Sequence, residues 1–95
     1  KDSTLVLLSP HLDTTYRIDP NFDSASQQIQ IEVAVGQGIS QVTMWVDGNL
    51  LTTLFSPPYQ AWWTLSAGQH HFWAEGVNAN REPVKSNIVA ITVVQ

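Results

Sequence analysis

The sequence predicts an all-β fold for its 95 residues, built as an antiparallel sandwich of two sheets. Apolar and polar residues alternate with a period of two in several segments, which is typical of strands with one buried face. Turn-forming residues recur about every ten positions, and no segment of useful length has the 3.6-residue period of an amphipathic helix. Seven to eight short strands of this kind favour immunoglobulin-like topology, with an up-and-down barrel as the alternative.

The first two predicted strands are short. They cover residues 4–9 and 14–18, and Pro10 and Pro20 follow them. Because proline has no N–H to donate to a sheet ladder, we expect both segments at a sheet edge or at a switch between sheets.

The clearest strand covers residues 27–35, after a polar connection at 21–26. Its apolar side chains share one face and its polar side chains the other. The apolar set is Ile29, Ile31, Val33 and Val35.

The central hairpin covers residues 41–51. Val42, Met44 and Val46 alternate with the more exposed set that includes Trp45, and the strand ends at Asp47-Gly48. This dipeptide suits a type I′ turn, in which both central residues have positive φ and the turn matches the strand twist. Residues 50–54 form the return strand.

Three strands are predicted in the last part of the chain, at residues 59–65, 69–77 and 84–94. In the first of them Trp63 is expected to face the core and Trp62 the solvent. The last strand is expected to turn Val89, Ile91 and Val93 inward.

The composition bounds the possible partners. The net charge is −4, and the four basic residues are scattered along the chain, at Lys1, Arg17, Arg81 and Lys85. A nucleic-acid footprint is therefore not expected, and an anionic membrane surface offers no attraction. No apolar run reaches the length of a membrane span, so no direct membrane insertion is expected. The chain begins at a lysine, and we predict that residues 1–95 are one domain of a longer protein.

The sequence supplies no motif for catalysis. Cysteine is absent, and the adjacent His70 and His71 point to opposite faces of their strand and cannot chelate one metal together. Most carboxylates are at turns, and neither a nucleophile elbow nor a phosphate-binding glycine loop occurs. We expect no catalytic, metal-binding or cofactor-binding residue, and this domain alone is not expected to be an enzyme.

The tryptophans indicate a contact surface. The same alternation that places Val42 and Met44 inward places Trp45 outward. On the strand at 69–77 it places Trp73 outward as well. The two strands are neighbours in an immunoglobulin-like sandwich, so the predicted docking surface combines these two indoles with His71 and Glu75. Trp62 is a further candidate for this surface. A one-residue slip in register would exchange the two faces.

The second half of the chain resembles bacterial immunoglobulin-like repeats. In these, a Val-Asp-Gly hairpin is followed by Pro-Tyr and then by a Gly-x-His strand. The matching residues here are Val46–Gly48, Pro58-Tyr59 and Gly68–His70.

The first half adds a narrower set of motifs, namely Ser9-Pro10, Tyr16–Pro20 and Gln27/Gln28-Ile29. With the hairpin they resemble the C-terminal module of class A penicillin-binding proteins of the 1C type. The resemblance spans nearly the whole chain.

The resemblance implies a non-catalytic accessory domain at the end of a bifunctional peptidoglycan synthase, in which the glycosyltransferase and transpeptidase domains lie upstream. It implies an extracytoplasmic location, in the periplasm or cell envelope, and a parent protein anchored in the membrane. The expected partner is the adjoining transpeptidase domain or another envelope protein, with a glycan strand second. The alternative is an immunoglobulin-like spacer or carbohydrate-binding module of another exported bacterial protein.

Overall fold

The computed structural model describes residues 5–23 and 26–95 and contains nine strands in them. In chain order the strands are β1 (Leu5–Ser9), β2 (Thr15–Arg17), β3 (Gln28–Val35), β4 (Val42–Val46), β5 (Asn49–Leu54), β6 (Gln60–Thr64), β7 (Gly68–Val77), β8 (Pro83–Lys85) and β9 (Val89–Val94). The predicted start of the first strand, Thr4, lies outside the described residues.

The strands form two sheets, which confirms the predicted sandwich. The first sheet has the order β1-β3-β6. The second has the order β2-β9-β7-β4-β5, and β8 pairs with β7. All pairs are antiparallel except β2 with β9, which is parallel. The proline-terminated strands β1 and β2 each lie at a sheet edge, as the sequence predicts.

The core lies between the sheets and is made by the inward positions of the alternating strands. Phe72, from the second sheet, packs edge-on against Trp63 of the first, with ring centroids 5.1 Å apart. The buried apolar side chains are Leu5, Leu7, Ile31, Val33, Ile39, Val42, Met44, Val46, Phe72, Ala74, Val89, Ile91 and Val93. Every inward position predicted on the last strand belongs to this set.

The β4–β5 hairpin has the predicted turn. Val46 pairs with Asn49, and the two residues between them have φ of 54° at Asp47 and 84° at Gly48. Positive φ at both central positions is the mark of a type I′ turn. A bulge between Met44 and Trp45 shifts the register next to the turn.

Gly48→Val is expected to lower the free energy of unfolding by about 1–3 kcal/mol, because a β-branched residue resists positive φ. An added Cβ would have no heavy atom within 4 Å, so the cost is conformational rather than steric. Gly48→Asn is the control, since asparagine tolerates positive φ and this variant should lose much less stability. Equal urea midpoints for the valine variant and the parent would show that this turn places no demand on Gly48.

The prediction of one continuous strand at residues 84–94 is wrong. This segment is split into β8 and β9, which pair with successive parts of β7. From Lys85 to Val89 the chain advances four residues while their partners, Glu75 and Phe72, are three apart, so one extra residue has to leave the ladder.

Ser86 stabilises the break between β8 and β9. Its side chain is buried, its Oγ accepts the N–H of Ala74 at 2.8 Å, and its own N–H donates to the Ala74 carbonyl at 2.8 Å. The next residue, Asn87, accepts the Leu7 N–H through its side-chain oxygen at 3.0 Å. The interruption therefore ties edge strand β1 of the first sheet to the second sheet.

Candidate functional site

Two tryptophans lie side by side on the outer face of the second sheet. Trp45 on β4 and Trp73 on β7 are cross-strand partners. Both face outward, because their neighbours Met44, Phe72 and Ala74 take the inward positions. The two indole rings are nearly parallel, with an interplanar angle of 11° and centroids 6.4 Å apart. Cross-strand aromatic pairs of this kind stabilise a sheet by up to about 1 kcal/mol.

Two further side chains complete the surface around the indoles. The Lys85 ammonium lies 5.1 Å from the centroid of the Trp73 ring, a cation–π contact. Leu50 on β5 pairs with Trp45 and is 60% exposed. We name the set Trp45, Trp73, Leu50, His71, Glu75 and Lys85 the tryptophan face.

The indole N–H groups of this face have no acceptor in the described part of the chain. The Nε1 atoms of Trp45 and Trp73 are both shielded from solvent and have no hydrogen-bond partner among the described residues. A buried donor without an acceptor costs about 1–3 kcal/mol. An acceptor supplied at this face would therefore gain two indole donors.

The structure brings four of the five predicted surface residues together and separates the fifth. His71, Trp73 and Glu75 occupy alternate positions of β7, on the same side as Trp45. Trp62 lies on β6, on the outer face of the first sheet, and so belongs to the opposite side of the sandwich. The docking role of these residues stays a prediction.

Sequence reasoning missed Lys85 and Leu50 as members of this surface. Lys85 pairs with Glu75 through β8, a strand that the alternation pattern merges with the next. Leu50 faces outward because the two-residue turn pairs it with the outward-facing Trp45, and the bulge begins only beyond this pair. The opposite charges of Glu75 and Lys85 would indicate that the two residues are cross-strand partners, but only if the register of β7 and β8 is known. The sequence alone does not supply that register.

Asp47 at the hairpin turn connects to both histidines of β7. Its Oδ1 accepts the backbone N–H of His71 at 2.8 Å, and its Oδ2 lies 2.5 Å from Nδ1 of His70. Nε2 of His70 lies 2.7 Å from the carbonyl oxygen of Ser66. His70 therefore has one partner in the nearby backbone and a second in Asp47, which the sequence did not reveal.

The His70 ring lies between two acceptors. An ionised carboxylate and a carbonyl oxygen both only accept hydrogen bonds, whereas a neutral imidazole has one N–H to donate. Both bonds form together only when each ring nitrogen carries a proton. The ring is fixed further by edge-on packing against Trp63, with centroids 4.7 Å apart.

The pKa of Asp47 lies below its ordinary value of 3.8. Partial burial by itself raises this pKa. The hydrogen bonds from the His70 ring and the His71 amide, together with the charges of the two imidazoles, outweigh that effect. The ionised carboxylate is thus the form that the folded turn favours.

Stability should depend on pH through Asp47. Because its pKa is lower in the folded than in the unfolded state, its contribution is present above about pH 4 and is lost as the pH falls through the folded pKa. The variant Asp47→Asn removes the charge, and asparagine still tolerates the positive φ at this position. We expect the stability difference between the parent and this variant to shrink between pH 5 and pH 2 in urea titrations. A difference that stays constant over this range would contradict the assignment.

The described residues offer no metal-ligand cluster. Across residues 5–23 and 26–95, no group of three or more histidine, aspartate or glutamate side chains could hold an ion. In the same residues, no helix is long and apolar enough to cross a membrane.

A groove adjoins the tryptophan face at His71, on the same outer surface. It has a volume of about 260 Å³ and is lined by Asp13, Gln69, His71 and residues 90–92 of β9. Ligand pockets usually have volumes of about 300–1,000 Å³. The groove is therefore slightly smaller than a usual ligand pocket.

Comparison with known proteins gives a family and a fold. The sequence model of the Penicillin-Binding Protein C-terminus Family matches residues 1–73. No curated protein matches the sequence significantly. Among solved structures, the fibronectin(III)-like modules of CbhA from Clostridium thermocellum superpose with a TM-score of 0.79 over 96% of each chain, at 19% sequence identity. At this identity the likeness shows the sandwich fold alone.

Proposed function

Because this chain belongs to the penicillin-binding protein C-terminus family, we propose that it is the non-catalytic accessory domain of a bifunctional peptidoglycan synthase. In this proposal the parent chain carries glycosyltransferase and transpeptidase domains upstream, is anchored in the membrane and works outside the cytoplasm. The accessory domain contributes to cell-wall synthesis by docking against the adjoining transpeptidase domain through the tryptophan face.

The stacked indole pair is the observation that carries this proposal. Tryptophan is enriched among the residues that dominate protein interfaces, where it supplies a large, rigid contact area. Covering the remaining exposed area of Trp45, Trp73 and Leu50 would contribute on the order of a few kcal/mol before the costs of association, at about 25 cal/mol per Å².

The polar groups of the face support docking on a protein. An incoming carbonyl or carboxylate that displaced the side chains around the indoles would supply an acceptor to Nε1 of Trp45 and Trp73, for which residues 5–23 and 26–95 offer none. Glu75 and Lys85 put one charge of each sign on the face, in register across β7 and β8. A partner with the complementary arrangement would be held in one orientation.

The test uses the full parent chain with a photo-crosslinking amino acid at position 50. Leu50 is on the tryptophan face and well exposed, so the probe should not disturb the core. We expect crosslinks from position 50 to the transpeptidase domain. A matched probe at position 62, which is 59% exposed on the opposite sheet, should give none to that domain.

The double substitution Trp45→Ser and Trp73→Ser should greatly reduce crosslinking from position 50, because the contact area is lost. The isolated variant domain should remain folded, as judged by circular dichroism. Crosslinks that persist in a folded double variant, or equal crosslinking from positions 50 and 62, would contradict docking through this face.

A further inference from the structure

The outer face of the first sheet carries one exposed indole within a polar strip. Trp62 is 59% exposed and lies directly across from Gln30 of β3. The inward positions next to it belong to Ile31 on β3 and Trp63 on β6, so the outer face here consists of the alternate, mostly polar residues. This strip is on the opposite side of the sandwich from the tryptophan face.

Two polar cross-strand pairs flank Trp62. On one side Gln28 donates from Nε2 to the Thr64 hydroxyl at 3.2 Å, and on the other Gln60 donates from Nε2 to Glu32 Oε2 at 3.4 Å. Each pair is two residues along the strand from Trp62, which corresponds to about 7 Å. The result is an indole between two sets of amide, hydroxyl and carboxylate groups on an open sheet surface.

This arrangement has the chemistry of a sugar-binding platform. A pyranose ring is amphipathic, with C–H groups on its faces and hydroxyl or acetamido groups around its rim. The face of an indole carries negative charge in its π-system and packs against C–H groups, while amides and carboxylates bond the rim. A nucleic acid is disfavoured, because the strip contains the Glu32 carboxylate and no basic residue.

We propose that the strip Gln28, Gln30, Glu32, Gln60, Trp62 and Thr64 binds a glycan chain of β-1,4-linked N-acetylated hexosamine. The sugar stacks on Trp62, and the acetamido and hydroxyl groups of neighbouring units bond the flanking amides and carboxylate. The choice of a cell-wall glycan strand as the source rests on the proposed function. Since the strip and the tryptophan face are on opposite sheets, the domain can dock on a protein and hold a glycan at the same time.

The proposal is tested with chitohexaose, a soluble β-1,4-linked hexamer of N-acetylglucosamine, titrated into the ¹⁵N-labelled chain and followed by NMR. Shift changes should concentrate on β3 and β6. Trp62→Ala should weaken binding by roughly tenfold or more, since loss of one stacking contact is worth about 1.4 kcal/mol. Gln30→Ala should weaken it by a smaller factor.

Phe55→Ala is the matched control. Phe55 is an aromatic residue even more exposed than Trp62, at 71% against 59%, and it lies just beyond β5 and outside the strip, so its loss should leave the affinity unchanged. The proposal is overturned if chitohexaose causes no shift changes, if the changes lie elsewhere, or if Trp62→Ala has no more effect than Phe55→Ala. Equal binding of cellohexaose would overturn the assignment to an acetamido sugar. Because this titration contains no transpeptidase domain, its failure leaves the crosslinking result from position 50 standing.

Discussion

Phe72→Ala is expected to lower the free energy of unfolding by about 3–5 kcal/mol, the usual cost of removing a buried aromatic ring. Phe72 is 1% exposed and contacts Trp63 of the facing sheet edge-on, so its loss leaves a cavity between the two sheets. Domains of this size are stabilised by about 5–15 kcal/mol, so the variant should lose a large fraction of its stability. The midpoint of urea unfolding, followed by tryptophan fluorescence, measures the change.

The control for this prediction is Phe55→Ala, which removes the same ring from an exposed position and should change stability by no more than about 0.5 kcal/mol. Phe72→Leu should cost less than the alanine variant, because it fills part of the cavity. If Phe72→Ala is as stable as Phe55→Ala, packing of Phe72 between the two sheets does not contribute to the stability of the fold.

Gly76→Val is expected to destabilise the fold by about 3 kcal/mol through steric conflict rather than through backbone dihedrals. A Cβ at Gly76 would lie 2.9 Å from the carbonyl oxygen of Gln41 and 3.0 Å from Cγ2 of Ile39. The first contact involves backbone, so the connection before β4 has to move. Thermal unfolding followed by circular dichroism measures the loss.

Ala34→Val provides the comparison for Gly76→Val. Ala34 is on the exposed face of β3, where a β-branched residue is favoured, so the added methyl groups should be neutral or slightly stabilising. If Gly76→Val melts at the temperature of Ala34→Val, the close approach of Gln41 to β7 is not a constraint on the fold.

The strand pattern was predictable because it depends on local signals. Alternation identified the inward set of β3, β4 and β9, and the Asp47-Gly48 dipeptide identified the turn with its two positive φ values. The interruption between β8 and β9 was not predictable. It depends on hydrogen bonds of Ser86 to Ala74, a residue twelve positions away, and no feature of the local sequence encodes that partner.

The candidate sites were predictable in part for the same reason. Alternation indicates that Trp45 and Trp73 share an outward face, and the sheet order then brings them into contact. It does not assign Trp62 to a sheet, because two strands with outward tryptophans can belong to either side of a sandwich. The bonds from Asp47 to His70 and His71 also escaped prediction, since they depend on the register that β4 and β7 adopt at the turn.

Hydroxyl-radical footprinting of the parent chain and of the isolated domain tests the docking role most directly. If the tryptophan face docks on the transpeptidase domain, oxidation of Leu50, Trp45 and Trp73 should fall several-fold in the parent chain. Phe55 lies outside this face and should react at the same rate in both proteins. Equal oxidation of Leu50, Trp45 and Trp73 in the parent chain and in the isolated domain would contradict the proposal.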